Sequence, residues 1–119
     1  MHTDHGAVQA LLPLPTATFH ILLALGYGDR HGYAIIQDIA TRTNGALRMS
    51  AGTLYRSIAR MVEQGLIAEV TRRRTVHDDA RRRYYRITPF GTAVARAEMR
   101  RLTELVRVAH ASGLTPETA

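Results

Sequence analysis

The chain is 119 residues long, enough for one compact domain, and 45% of its residues are apolar, too many for a disordered polymer. Its formal charge is +6 and all sixteen basic residues are arginine, whose guanidinium forms paired hydrogen bonds with phosphates and guanine edges. Cysteine is absent, which excludes disulfides, thiolate metal sites and cysteine nucleophiles, and no apolar run approaches the length of about eighteen residues that a membrane span needs.

Residues 1–15 lack the basic start and long apolar centre of a secretory signal, so a cytoplasmic protein is expected. They read as a flexible N-terminal arm: Val8, Leu11, Leu12 and Leu14 can pack, but Pro13 and Pro15 stop a helix. A first helix is predicted from Thr16 as N-cap, through Phe19, Ile21, Leu22 and Leu23 to Leu25, and Gly26 and Gly28 end it. Asp29 is placed to cap a second helix over about 31–43, with Tyr33, Ile36, Ile39 and Ala40 as its inward stripe and Asn44-Gly45 as its stop.

After a short extended piece at 47–49, Ser50 caps a third helix over about 51–64. Leu54, Ile58, Met61 and Val62 form its expected buried face, and Gly65 stands at the position that favours a left-handed residue after a helix. Two runs with period-two alternation, 66–74 and 81–88, flank a polar tip at 75–80 and predict a β-hairpin. Thr88-Pro89 then opens a long helix to about Ser112, before Gly113 and Pro116; twenty-four residues give a length of about 36 Å. Phe90, Val94 and Ala97 make one stripe on it, and Met99, Leu102, Leu105, Val106 and Ala109 make a second. The second stripe lies beyond any core so small a monomer can build, so it is expected to pack on a second subunit.

The charge is unevenly placed. Residues 1–70 hold five arginines and five acids, whereas residues 71–101 hold ten arginines and three acids, a local excess of +7. The excess contains the triplets Arg72-Arg73-Arg74 and Arg81-Arg82-Arg83, one on each arm of the hairpin. Like charges this crowded repel unless an anion lies between them, which favours an anionic partner over a merely solvated face.

Three helices followed by a basic hairpin is the order of a winged helix-turn-helix, here a mainly α (α+β) fold with a two-stranded wing and a long C-terminal dimerisation helix. The domain plan is an arm over 1–15, a winged-helix DNA-binding domain over 16–88, the dimerisation helix over 89–112 and a tail over 113–119. A helix fits the major groove and a basic hairpin can follow phosphates or enter the minor groove. The third helix is therefore the recognition candidate. Its start, Ser50-Ala51-Gly52-Thr53, is small enough for close backbone approach to a phosphate. Ser50, Gly52, Thr53, Tyr55, Arg56 and Arg60 are the candidate contacts there, with Arg72, Arg73, Arg74 and Arg81 in the wing.

Several ordered pieces carry a family resemblance. Phe19-His20-Ile21-Leu22, His31-Gly32-Tyr33-Ala34-Ile35 and Gly52-Thr53-Leu54-Tyr55 lie in the three helices, and Gly65-Leu66-Ile67 opens the wing. Arg81-Arg82-Arg83-Tyr84-Tyr85-Arg86-Ile87-Thr88-Pro89-Phe90-Gly91 closes the set. Over about residues 16–112 the chain resembles PadR-family transcriptional regulators of the short type with one C-terminal helix. Ala51 stands where that family more often has proline. The resemblance implies a homodimeric repressor of a palindromic operator, relieved in some members by a small ligand. It also implies that some of Arg82, Arg83, Tyr84 and Tyr85 hold the wing to the body.

The expected function is thus sequence-specific binding of double-stranded operator DNA, as a homodimer with a possible small-molecule effector and no membrane association. The other readings are a protein-interaction module on the same fold and a non-specific nucleic-acid binder. No cofactor, metal or catalytic residue is expected: there is no P-loop, dinucleotide fingerprint or serine elbow. The six histidines, His2, His5, His20, His31, His77 and His110, show no ligand spacing within a predicted helix.

Overall fold

A computed structural model of the chain describes residues 4–71 and 82–116. Its elements in order are α1 (His5–Ala10), α2 (Thr16–Leu25), β1 (Arg30–His31), α3 (Gly32–Arg42), α4 (Ala51–Glu63), β2 (Ile67–Val70), β3 (Tyr84–Ile87) and α5 (Pro89–Ala111). The strands form one antiparallel sheet in the order β1-β3-β2. Ile67 stands opposite Ile87 and Val70 opposite Tyr84, and Arg30 and His31 pair with Tyr85 and Tyr84 on the other edge. This is the winged-helix arrangement, and β1 adds to it a third strand too short for any periodicity to reveal.

The core lies where α2, α3, α4 and the first half of α5 meet the inner face of the sheet. Ile21, Leu22, Leu25, Ile35, Ile39, Leu54, Met61 and Leu66 are fully buried there. Each such aliphatic side chain contributes about 1.5–3 kcal/mol by leaving water. The helix ends are set by local chemistry. The Ser50 hydroxyl accepts from the Thr53 amide at 3.2 Å to start α4, and Gly65, at φ +76°, follows its end. The Thr88 hydroxyl accepts from the Gly91 amide at 2.9 Å, and Pro89 fills the first helical position of α5.

Two expected core positions turn outward. Tyr33 is 60% exposed, because α3 buries Gly32, Ile35 and Ile39 instead, with Ile36 and Ala40 at the edge of that face. Gly32 lies on that buried face, where a Cβ would collide with the Tyr55 hydroxyl and lie 3.3 Å from Leu54 Cδ2. Val62 is 42% exposed, since α4 packs through the narrow row Leu54, Ile58 and Met61 and Val62 lies beside it.

Other caps differ from expectation too. Pro15, not Thr16, is the N-cap of α2 and offers no side-chain bond. His31, not Asp29, caps α3, its Nδ1 accepting from the Ala34 amide at 3.1 Å. Asp29 is engaged by Arg86 of β3.

Over residues 5–14 the expected loose arm is an ordered strap. The Asp4 carboxylate accepts from the Gly6 amide at 2.9 Å to start α1, Val8 is buried, and Leu11, Leu12 and Leu14 pack on the core. The prolines end the helix but leave these apolar side chains free to pack on the core, while α1 itself lies against α5. The Leu14 amide donates to the Glu98 carboxylate at 2.7 Å, and Arg101 donates to its other oxygen.

Glu98 is 2% exposed. The Arg101 hydrogen bond holds its carboxyl below the ordinary range, outweighing burial, which pushes the other way; the Leu14 amide and the Arg101 charge add to the lowering. A depressed folded-state value stabilises the protein above the unfolded value, and that stability is lost as pH falls through the folded one. Below pH 4.5 the wild type should therefore lose stability more steeply than Glu98→Gln. Denaturant titrations from pH 3 to pH 7 check this; parallel curves would refute it.

Candidate nucleic-acid interface

The surface of α4 away from the core carries Ser50, Gly52, Thr53, Tyr55, Arg56 and Arg60, all exposed. Leu54, Ile58 and Met61 anchor the opposite side, so core packing itself fixes which residues face outward. A short hydroxyl relay organises the start: the Ser50 hydroxyl donates to Thr53 Oγ1 at 3.0 Å, and Arg56 Nη2 donates to the same oxygen at 3.4 Å. Arg56 is thereby held over the first turn, with Arg60 one turn further along.

No acidic residue occupies that first turn. A Cβ at Gly52 would meet Arg56 Nη1 at 3.7 Å and nothing closer, so the backbone is open to an incoming group. Helix-start amides, a hydroxyl pair and two guanidinium groups make a surface suited to phosphate and base-edge oxygens. Tyr55 is 45% exposed, and its hydroxyl end rests over Gly32 of α3, so this side chain joins the two helices as well as edging the surface.

The wing arginines divide by their partners. Arg72, Arg73, Arg74 and Arg81 lie outside the described residues. Arg86 clasps Asp29 through two hydrogen bonds of 2.9 and 2.8 Å, which hold its guanidinium even more firmly protonated. Arg83 lies 3.9 Å from Glu69, and Arg82 Nη1 lies 3.3 Å from His31 Nε2. The His31 ring also meets Tyr84 edge-on at 5.4 Å. Tyr85 is buried, and burial first, then the Glu69 charge, pushes its phenol up. These contacts tie the wing base to β1 and the start of α3. Arg86 and Arg101 are paired with acids of the same chain, and Arg83 lies near the exposed Glu69, which reduces the part of the +7 excess left to meet an outside anion.

Sequence reasoning missed the Asp29–Arg86 clasp, because its members are 57 residues apart and no local pattern links them. It also missed Tyr33, which is exposed on α3 with its hydroxyl accepting from Gln37 at 3.1 Å. Among the described residues, no group of three His, Asp or Glu side chains is placed to hold a metal ion. No helix among them is long and apolar enough to cross a membrane.

The second half of α5 stands clear of the core. Its buried face runs Gly91, Val94, Ala97 and Glu98 and then continues in steps of three and four as Leu102, Leu105 and Ala109. Met99, Leu102, Leu105 and Val106 are 36–55% exposed, and Ala109 is half-buried. An open groove of about 390 Å³ runs beside this stripe along Arg96, Met99, Arg100, Thr103 and Glu104.

Known proteins share both the sequence and the fold. Over 88 residues the chain is 36% identical to the transcriptional regulator Rv3488 of Mycobacterium tuberculosis, covering 74% of this chain and 77% of that protein. It is 37% identical over 79 residues to an uncharacterised protein of Lysinibacillus sphaericus, of which it covers 64%. A transcriptional regulator from Clostridium thermocellum superposes with a TM-score of 0.67 at 25% identity, over 92% of this chain and 96% of that one. Bacillus subtilis PadR, solved in complex with operator DNA, superposes with a TM-score of 0.61 at 17% identity, over 73% of this chain and 48% of that one. Residues 21–97, from the middle of α2 to the turn of α5 that seals the core, match the PadR-like family as a whole. With the family match over residues 21–97 and 36% identity to a transcriptional regulator over most of both chains, the chain belongs to the PadR-like family of transcriptional regulators.

Proposed function

We propose that the chain is a cytoplasmic repressor that binds a palindromic double-stranded DNA operator as a homodimer. In this reading α4 enters the major groove, the basic wing follows the adjacent phosphates, and the apolar stripe of α5 joins two copies. The observation that carries it is the outward face of α4: from Ser50 to Arg60 its exposed side chains include two arginines, two hydroxyls and a phenol, and no acid. The fold it shares with Bacillus subtilis PadR, which was solved on operator DNA, supports the same use of the surface. Two-fold symmetry would set the half-sites about 34–36 Å apart. An effector that relieved repression would do so by binding one arrangement of the two subunits better than the other.

The test is binding to the DNA upstream of the chain's own gene against random duplex, across a salt series. Strong preference for the upstream DNA is expected. Equal affinity for both, with a steep salt dependence, would favour a non-specific nucleic-acid binder. No binding at low salt would favour a protein-interaction module.

Arg56→Ala should cost about 1–3 kcal/mol of operator affinity, and relax selectivity at one base pair, if Arg56 reads a guanine. Fluorescence anisotropy with the operator and its single-base variants reads both effects. Unchanged affinity would remove Arg56 from the interface.

A further inference from the structure

Glu98 is a buried carboxylate that the DNA-facing surface does not use. It lies on α5 at the level where that helix leaves the core: Gly91, Val94 and Ala97 precede it on the buried face, and the exposed stripe begins with Met99 and Leu102. Its two oxygens reach in different directions. One accepts from the Leu14 amide at 2.7 Å, and the other is held by Arg101 one turn further along α5. Pro13 and Pro15 have no amide hydrogen, so Leu14 supplies the one backbone donor of residues 13–15. Leu14 also sits just ahead of Pro15, the N-cap of α2. One side chain therefore joins the strap, the start of the DNA-binding domain and the first turn of the projecting helix.

Burying a carboxylate carries a large desolvation penalty, and apolar residues of similar volume are often at least as stable in such places. What a hydrogen-bonded carboxylate adds is direction. From Glu98 to Ala111 the helix extends thirteen residues, or about 20 Å. A tilt of about 10° at Glu98 moves the far end by about 3.5 Å, close to the rise of one base pair.

We infer that Glu98 is a positioning residue, which fixes the angle between the DNA-binding domain and the α5 stripe and so sets the operator spacing the dimer accepts. This rests on the homodimeric operator reading above. Replacing Glu98 by glutamine keeps the shape but removes the charge and one of the two acceptor oxygens, so a single oxygen remains where the carboxylate served both Arg101 and the Leu14 amide. The expected result is a folded dimer that has lost its spacing preference.

The experiment selects an operator from a pool of random duplexes with the wild-type protein, then shortens and lengthens its central spacer by one base pair. Wild type should prefer the selected spacing by at least about tenfold, and Glu98→Gln by less than about threefold, with each half-site sequence still read normally. A merely structural role would lower affinity equally for all spacings and leave the preference intact, which would overturn the inference. Should Glu98→Gln not fold, the double variant E98M/R101M replaces the pair by apolar side chains of similar length and takes the same test. A pool that yields no two-fold operator sinks the dimeric-operator reading and this inference with it. A spacing preference that survives in the variants sinks the inference alone.

Discussion

Leu102→Asp is expected, on the homodimeric operator reading proposed above, to give a folded monomer that binds its operator on the order of 10²–10⁴-fold more weakly, because the second half-site would no longer be tethered to the first. Leu102 continues the buried face of α5 at the first step beyond Glu98, and 36% of its surface is exposed in the single chain. Its neighbours along the stripe, Leu105 and Val106, are each 55% exposed. In a two-fold interface every substitution occurs twice, so two carboxylates would enter one apolar seam. Each leucine lost forgoes about 1.5–3 kcal/mol of burial, and each new charge adds a desolvation penalty. The winged-helix core should be untouched, since among the described residues none of those buried lies beyond Glu98. Sedimentation at several concentrations reads the mass and circular dichroism reads the fold. A dimer of unchanged mass would contradict the assignment of this stripe.

Gly91→Ala is expected to destabilise the domain by about 2 kcal/mol and lower Tm by roughly 5–10 °C. Two effects oppose each other. Alanine in place of glycine within a helix gains about 1 kcal/mol of propensity. Against that, a Cβ at Gly91 would collide with the Leu66 carbonyl and lie 3.0 Å from Ile87 Cγ1. The obstacle is backbone, and that carbonyl is fixed by the Thr88 amide, which donates to it at 3.1 Å, and by the Thr88 hydroxyl. A flexible side chain would move aside; this carbonyl cannot without pulling the start of β2 from α5. The collision therefore outweighs the propensity. A calorimetric Tm equal to or above that of wild type would show that the α5–β2 contact has room to yield.

The parts of this protein legible in its sequence are those governed by neighbours in the chain. The Ser50 cap, the glycine at position 65 and the Thr88-Pro89 start each depend on groups within about four residues, and each appears where its local chemistry places it. The outward face of α4 was legible for the same reason, since Leu54, Ile58 and Met61 repeat at helical spacing and leave the rest to solvent. Spacing alone was less decisive at the edges of each stripe. Tyr33 and Val62 are apolar and one step from a buried row, and which way they turn depends on what the neighbouring helix presents.

Composition, the charge excess at 71–101 and the helical and strand periods by themselves gave a helix–helix–helix–hairpin–helix order and the expectation of an anionic partner. Tertiary structure alone decided the rest. It made a strap of the N-terminal segment, added β1 to the wing, and set Asp29 on Arg86 and Glu98 on Leu14. The physical reason is range. Hydrophobic period and capping act over one or two turns, whereas a buried carboxylate or an ion clasp is specified by partners 57 or 84 residues away, which only the folded chain brings together.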